Sequence, residues 1–133
     1  MARDLDVLAV IAAGGVVGSL TRWGIASALP HRGSAYPWAT FVENVMGCLL
    51  LGVLMWFVVE VWIVGRYVRP FLGVGVLGGF TTFSTFSVET TGLLRDGAVG
   101  TAALYMVGSV LAGLLAVRLG RVLAAAAVPR RRA

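Results

Sequence analysis

Charged residues are scarce in this sequence. Only 13% of the 133 residues are charged, whereas 59% are hydrophobic, and the mean hydropathy is +0.91. Ordinary globular domains have about 25% charged and roughly 45–50% apolar residues, so a soluble domain of this size would not cover its core with so few charges. The composition therefore excludes a soluble globular protein and indicates one compact integral membrane domain.

Residues that build catalytic centres are also few. The single cysteine, Cys48, lies in an apolar run, which excludes an internal disulfide, and the single histidine, His31, lies in a loop. The sequence shows no cluster of metal-ligating side chains and no nucleophile beside a general base, so it argues against an enzyme. Lysine is absent, and the 11 arginines lie mostly at segment ends and in the tail. The net charge of +5 therefore bears on membrane topology rather than on nucleic acid binding, which we do not expect.

Four hydrophobic segments are long enough to cross a bilayer. They cover about residues 5–29, 38–64, 68–94 and 98–127, and each exceeds the ~20 residues that a helix needs to span a ~30 Å hydrocarbon core. Because backbone groups in lipid must be satisfied internally, we predict four transmembrane helices and an all-α membrane protein. In this interpretation residues 1–128 form a single transmembrane domain, and residues 129–133 form a basic C-terminal tail that is predicted to be disordered.

The arginines are unevenly divided between the two sides of the predicted membrane domain. With four spans both termini lie on one side, and the other side has Arg32 and Arg95, with Arg22 buried near that end. The distribution predicts termini inside the cell. The arginines on the side of the termini are Arg3, Arg66, Arg69, Arg118, Arg121, Arg130, Arg131 and Arg132.

Several polar side chains lie at membrane depth, where a charge costs at least ~2.5–3.5 kcal/mol on insertion scales. Arg22 either extends to the interface or faces a water-filled cavity, where it would attract anions. Asn44 either bonds a neighbouring helix or lines an ion path. The adjacent Glu43 points about 100° away and need not share that path. The roles of Glu43 and Glu89 stay open.

The fourth segment has a polar stripe on an otherwise apolar helix. Thr101, Tyr105 and Ser109 are spaced by four residues and so lie on one face. These hydroxyls either bond neighbouring helices or line a polar track. Uncharged donors suit a permeating ion that must not be held too tightly.

The least ordinary stretch is GGFTTFSTFSVET, which occupies residues 78–90 within the third segment. A glycine pair weakens a helix, so we predict a break near Gly78–Thr82, which a membrane tolerates only where the freed backbone is buried in protein or lines a cavity. Freed carbonyls can coordinate a cation. Phe80, Phe83 and Phe86 recur every three residues and predict one ring-lined face, whose positive ring edges could contact an anion. Core packing alone would not explain the threonines and serines between these rings.

This stretch resembles the signature of the fluoride channel family, often called Fluc or CrcB. Members of that family are small bacterial membrane proteins with four helices. GGVVGSLTRW is similar to the family's glycine-rich first helix with its arginine, and WATFVENVMGCLLLG is similar to its second helix with the asparagine. The resemblance covers the whole chain, and the TTFSTFS run is its specific part. Glu43 departs from the family pattern, in which an apolar residue is commoner.

The resemblance implies an ion pathway and an assembly. Phe83 and Phe86 would accompany fluoride with their ring edges, Asn44 would donate its amide, and Arg22 would lie in the vestibule. It further implies an antiparallel homodimer with dual topology. The hydroxyls expected along the path belong to Thr82, Ser84, Tyr105 and Ser109, and the backbone carbonyls expected to hold one structural sodium ion (Na+) at the dimer centre belong to Gly78 and Thr81.

The function that follows from the resemblance is a passive, fluoride-selective channel in the bacterial inner membrane. It would export fluoride from the cytoplasm and lower its toxicity, with fluoride, the lipid bilayer and a second copy as partners. The alternative is a small multidrug-type, proton-coupled exporter. Such exporters place an essential glutamate in the first helix, whereas this first segment has only Arg22 after Asp6. A structural membrane subunit would leave the alternation of rings and hydroxyls unexplained.

Overall fold

A computed structural model describes residues 2–30, 33–61 and 65–128 of the chain. All regular structure within these ranges is helical, and the tail at 129–133, together with His31 and Arg32, lies outside them. Within these ranges two segments, Phe57–Val61 and Pro70–Val76, are π-helical, and each is continuous with a neighbouring α-helix. The helices are α1 (Ala2–Ala28), α2 (Trp38–Trp56), α3 (Leu77–Phe80), α4 (Phe83–Arg95) and α5 (Val99–Ala127).

Among the described residues, four helical stretches are long and apolar enough to cross a membrane. They are Asp4–Ala28, Trp38–Glu60, Pro70–Arg95 and Val99–Ala127, with mean hydropathies of 1.6, 2.0, 1.4 and 1.8. The third stretch is the least apolar because it contains the hydroxyl-rich segment between α3 and α4. The prediction of an all-α chain with four spans is confirmed.

Glycines allow α1 to pack closely against the first half of the third span. A Cβ atom on Gly14 would lie 2.5 Å from the carbonyl oxygen of Phe71, and one on Gly75 would lie 2.7 Å from that of Ile11. Real Cβ atoms do not approach so closely, so only glycine fits at these two positions. Close backbone approach at small residues is how helices associate in a membrane, where apolar burial gives no driving force.

A second glycine contact joins α2 to α5. Gly52 faces the Val117 carbonyl, and Gly120 faces the Leu49 carbonyl, so closely that neither position has room for a Cβ atom. The two long helices therefore approach each other as closely as α1 and the third span do.

The third span is interrupted at Thr81 and Thr82. α3 ends at Phe80, both threonines are extended (φ −82°, ψ 150° and φ −143°, ψ 114°), and α4 begins at Phe83. This agrees with the predicted position of the break, but the predicted cause is wrong. Gly78 and Gly79 are themselves helical, and Gly79 serves packing, since its Cβ would lie 2.6 Å from the Gly15 carbonyl.

Polar contacts also fix one end of the helices. Asp6 of α1 accepts hydrogen bonds from the Arg66 guanidinium (3.1 Å) and the Tyr67 hydroxyl (2.6 Å), which lie in the link before the third span. The bond to this carboxylate raises the pKa of Tyr67 above its ordinary value. The start of α1 is thereby tied to the start of the third span, in addition to their glycine contact.

Candidate functional site

The side chain of Asn44 holds the break in the third span. Its Oδ1 accepts a hydrogen bond from the Thr82 backbone N–H (2.9 Å), and its Nδ2 donates to the Thr82 carbonyl (3.1 Å). One amide thus satisfies both polar groups of an extended residue that lacks helical partners. The interpretation of Asn44 as a bond between helices is therefore correct, and the same side chain lines an open groove beside the break.

The break releases two carbonyls from the helix. In a continuous helix the N–H of Thr82 would donate to the Gly78 carbonyl and that of Thr85 to the Thr81 carbonyl. Instead the Thr82 N–H donates to Asn44, and the Thr85 N–H donates to the Thr82 hydroxyl (3.1 Å). The Gly78 and Thr81 carbonyls therefore lose their helical donors, and both residues line the groove beside Asn44.

Hydroxyl groups cluster at the start of α4. The buried Thr82 caps the helix, and its Oγ1 donates to Thr85 Oγ1 (2.9 Å) and lies 3.3 Å from Ser84 Oγ. An N-cap hydroxyl satisfies an amide that the first helical turn leaves unpaired. Ser84 is exposed next to this cap, so its hydroxyl is available on the surface of the single chain.

Aromatic rings continue from the break towards α5. The Phe83 and Phe86 ring centroids are 5.8 Å apart, and those of Phe86 and Tyr105 are 4.9 Å apart. Phe83 is 80% exposed and Tyr105 is fully buried, so the row runs from the surface of the chain into its core. The prediction that three phenylalanines share one face is correct for Phe83 and Phe86 and wrong for Phe80. Phe80 precedes the break and is buried in the core at 4% exposure.

The partly buried Glu89 binds two hydroxyl groups, a role that the sequence left open. Its two carboxylate oxygens accept hydrogen bonds from the Tyr105 hydroxyl (2.7 Å) and the Thr40 hydroxyl (3.0 Å). The carboxylate thereby links α2, α4 and α5. Glu89 follows Phe86 by three residues on one helix, so the two side chains are neighbours on its surface. This spacing is the sequence signal that could have placed Glu89 near the rings.

Ser109 lies one turn beyond Tyr105 on α5. Its Oγ is buried without a hydrogen-bond partner among the described residues. Buried polar groups are nearly always bonded, so an unbonded one marks either a strained site or the place of a water or ion. Tyr105 and Ser109 thus lie one turn apart on the same side of α5, as their four-residue spacing predicts.

Arg22 lies in a cavity separate from the groove at the break. This open cavity of about 340 Å³ is lined by Ser19 and Arg22 of α1, Thr40 and Glu43 of α2, and Thr85 and Glu89 of α4, among others. Arg22 therefore faces a cavity rather than only the interface. Glu43 and Asn44, adjacent in sequence, face this cavity and the groove at the break respectively, as their 100° offset predicts.

The structure thus sorts the predicted site residues into three neighbouring places. The break holds Asn44, Thr82, Ser84 and the carbonyls of Gly78 and Thr81; the row of rings and hydroxyls holds Phe83, Phe86, Tyr105 and Ser109; and the cavity holds Arg22. Thr85 and Glu89 connect them, since both line the Arg22 cavity and each bonds a residue of another group.

The fold and site define a multi-pass membrane protein whose third span is interrupted at mid-length by uncharged donors and rings. Proteins with such spans are channels and transporters, and in bacteria they lie in the inner membrane. This chain belongs to the family described as "CrcB-like protein, Camphor Resistance (CrcB)", which matches residues 9–121. The resemblance seen in the sequence is thereby confirmed.

Relatives from several bacteria match nearly the whole chain. "Fluoride-specific ion channel FluC 2" of Nocardia farcinica is 50% identical over 117 residues, which cover 88% of this chain and 84% of the relative. "Fluoride-specific ion channel FluC" of Novosphingobium aromaticivorans is 46% identical over 123 residues, covering 87% and 94%. "Fluoride-specific ion channel FluC 1" of Mycobacterium tuberculosis is 41% identical over 121 residues, covering 91% and 92%.

Proposed function

We propose that this protein is a fluoride-selective channel through which fluoride leaves the cytoplasm passively. The observation that carries the proposal is the match at 41–50% identity to relatives that are each named fluoride-specific ion channels. The physical need is clear, because hydrogen fluoride crosses membranes as a neutral acid and ionises in the cytosol, where the anion is trapped. A passive leak for fluoride alone would lower its toxicity without any enzyme chemistry.

The proposed path follows the rings and hydroxyls. The edges of Phe83 and Phe86 would meet the anion, since the rim of an aromatic ring is positive. Ser84, Tyr105 and Ser109 would supply hydroxyl donors, and the unbonded Ser109 Oγ supports this role. Arg22 would attract the anion into the cavity, and the second Nδ2 hydrogen of Asn44 would be free to donate to it. Thr82 contributes through its contact with Ser84.

The proposal includes a second copy of the chain. Phe83 is 80% exposed, and Gly78, whose carbonyl lacks its helical donor, is exposed as well. Irregular backbone at membrane depth is tolerated only where protein or a cavity covers it, not where lipid does. The surface at the break therefore fits a partner. Because the break lies midway along the third span, two oppositely oriented copies would also meet at the same depth, as the antiparallel homodimer that we propose requires.

A sodium ion would fit at this surface. Na+ is a hard cation that prefers oxygen ligands, and the Gly78 and Thr81 carbonyls are two such ligands without helical donors. Two carbonyls are too few to surround the ion, so an equal pair from the second copy would complete the site. When bound, the ion would supply only positive charge that holds the two breaks together.

A vesicle assay tests the proposed function. Purified protein is reconstituted into vesicles loaded with potassium fluoride, a potassium ionophore is added, and release is followed with a fluoride electrode. We expect fast release of fluoride and none of chloride from matched vesicles. Equal release of both anions would contradict a fluoride-selective channel. A requirement for a proton gradient and a cationic drug would favour the exporter instead.

Dual topology needs its own measurement. Cys48 is replaced by alanine, and one cysteine is placed at the exposed Ser34 in the link between α1 and α2. A membrane-impermeant maleimide should label about half of the molecules in intact cells if both orientations are inserted. Full or no labelling would show one fixed orientation, which the arginine distribution favours, and would require a different inverted partner.

A further inference from the structure

Glu43 is an acidic side chain that the ion path described above does not use. It is only 2% exposed, and its Oε1 has no hydrogen-bond partner among the described residues. It nevertheless lines the cavity of about 340 Å³ that contains Arg22. A buried carboxylate oxygen without a donor is costly while the group is ionised, and uptake of a proton removes that charge.

The groups around Glu43 show which ligand is needed. Arg22 of α1 attracts the Glu43 charge, and Glu89 of α4 repels it. Glu89 is already satisfied by the hydroxyls of Thr40 and of Tyr105 on α5, whereas Glu43 has no comparable donors. With both carboxylates ionised, these side chains carry a net charge of −1 in a cavity that should receive an anion. One further positive charge is missing, and a proton is the smallest group that supplies it.

We propose that Glu43 is a proton-binding residue of the Arg22 cavity, and that the anion enters this cavity readily only when Glu43 carries its proton. The inference rests on the proposed function, because the anion is taken to be fluoride. The proton comes from bulk water and forms an O–H bond on the carboxyl group, and no other bond changes. The Glu43 hydroxyl then becomes a donor directed into the cavity.

The expected effect is electrostatic and therefore moderate. By Coulomb's law, a unit negative charge roughly 8 Å from the entering ion changes its occupancy about 2-fold at a dielectric constant of ~80 and about 30-fold at ~20. Fluoride flux should therefore rise by about 2-fold to about 30-fold as the pH falls from about 8 to about 6, a range in which fluoride itself stays ionised.

Three variants separate charge from hydrogen bonding. Glu43→Gln imitates the protonated group, so its flux should be high and independent of pH. Glu43→Leu removes charge and donor together, so its flux should also be independent of pH but lower than that of Glu43→Gln. Glu60→Gln is the matched control, since Glu60 lies beside Arg121 (3.5 Å) in the π-helical segment that follows α2, and this variant should keep the wild-type pH response. Vesicles without protein report hydrogen fluoride leakage.

A second readout does not depend on transport. Infrared difference spectra of the reconstituted protein, recorded between the same pH limits, should show a band of a protonated carboxyl group in wild type and in Glu60→Gln, and its loss in Glu43→Gln. If the fluoride flux of the wild type does not respond to pH and its spectra show no such band, Glu43 is not a proton site. The proposed channel function would still stand. Absence of fluoride flux in wild type would overturn the channel function, and the infrared band would still decide the proton site.

Discussion

Asn44 and the backbone of Thr82 form a reciprocal pair of hydrogen bonds, 2.9 and 3.1 Å long, across the interface of the second and third spans. This pair replaces the helical bonds that Thr82 would otherwise make. It keeps the third span open at the level where rings, hydroxyls and freed carbonyls meet. Asn44 would therefore act on the proposed ion path through the backbone of Thr82 as well as through any contact with the ion.

The first prediction concerns this pair. Asn44→Asp keeps the acceptor for the Thr82 N–H but replaces the donor with an oxygen that faces the Thr82 carbonyl. We expect a loss of about 1–3 kcal/mol in stability, the cost of a buried group left unbonded, together with loss of fluoride flux. Thermal unfolding in detergent and vesicle release measure the two effects. Wild-type stability in this variant would show that the amide does not hold the break.

The second prediction concerns the rings. Phe83→Ile and Phe86→Ile keep apolar bulk but remove the positive ring edge, so fluoride release should fall at least about 10-fold, the effect of ~1.4 kcal/mol. Cross-linking should show that both variants still form the proposed dimer. Phe57→Ile is the control, because Phe57 lines an apolar groove away from the break. Normal release from both pore variants would remove the rings from the path.

The third prediction compares two tyrosine–carboxylate bonds. Tyr105→Phe removes the buried donor to Glu89 (2.7 Å), and Tyr67→Phe removes the exposed donor to Asp6 (2.6 Å). Bonds to charged groups contribute about 1.5–3 kcal/mol when buried, so only Tyr105→Phe should lower stability by this amount and reduce flux. Thermal unfolding and release from vesicles provide the test. Similar behaviour of the two variants would contradict a special role for Glu89.

The fourth prediction concerns the unbonded hydroxyl. Ser109→Ala removes a buried group that has no partner, so stability should stay equal or rise while fluoride flux falls. Ser27→Ala is the control, because its exposed hydroxyl donates only to the Trp23 carbonyl of its own helix (2.8 Å). A clear loss of stability in Ser109→Ala, with unchanged flux, would assign the hydroxyl a purely structural role.

The fifth prediction separates the two adjacent glycines. A Cβ on Gly78 meets nothing within 4 Å, whereas one on Gly79 would lie 2.6 Å from the Gly15 carbonyl. Gly78→Ala should therefore leave the protomer folded and weaken only its assembly, and Gly79→Ala should disturb the protomer itself. Circular dichroism reports the fold, and single-molecule photobleaching in vesicles counts the subunits. If Gly78→Ala forms a dimer as stable as that of the wild type, the interface lies elsewhere.

Sodium removal belongs to the same test. If Na+ joins the two breaks, exchange of sodium for a large organic cation should lower the dimer fraction of wild type, and the loss should be reversed by sodium. An unchanged dimer fraction in sodium-free buffer would contradict a structural ion at the Gly78 and Thr81 carbonyls.

The four spans and the position of the break could both be predicted from the sequence. Hydrophobic length defines spans well, because the membrane requires about 20 apolar residues. The sequence was not sufficient to predict the cause of the break. The glycine pair suggested a weak helix, but the interruption depends on Asn44, which is 38 residues away from Thr82 and is brought there only by tertiary packing.

The side-chain partners of the acidic residues were also beyond the sequence. Periodicity placed Phe80 with Phe83 and Phe86, because a helical wheel assumes an uninterrupted helix, and the two extended threonines remove that assumption. Likewise, nothing in the local sequence indicates that Glu89 meets Thr40 and Tyr105, or that Glu43 shares a cavity with Arg22, because each contact joins different spans.

The most direct test of the central claim, that the interrupted third span conducts fluoride alone, is a reversal potential. Reconstituted protein in a planar bilayer is given a fluoride gradient in one direction and an equal chloride gradient in the other. The account predicts that current reverses at the equilibrium potential of fluoride. Reversal at the chloride potential, or near zero, would contradict it.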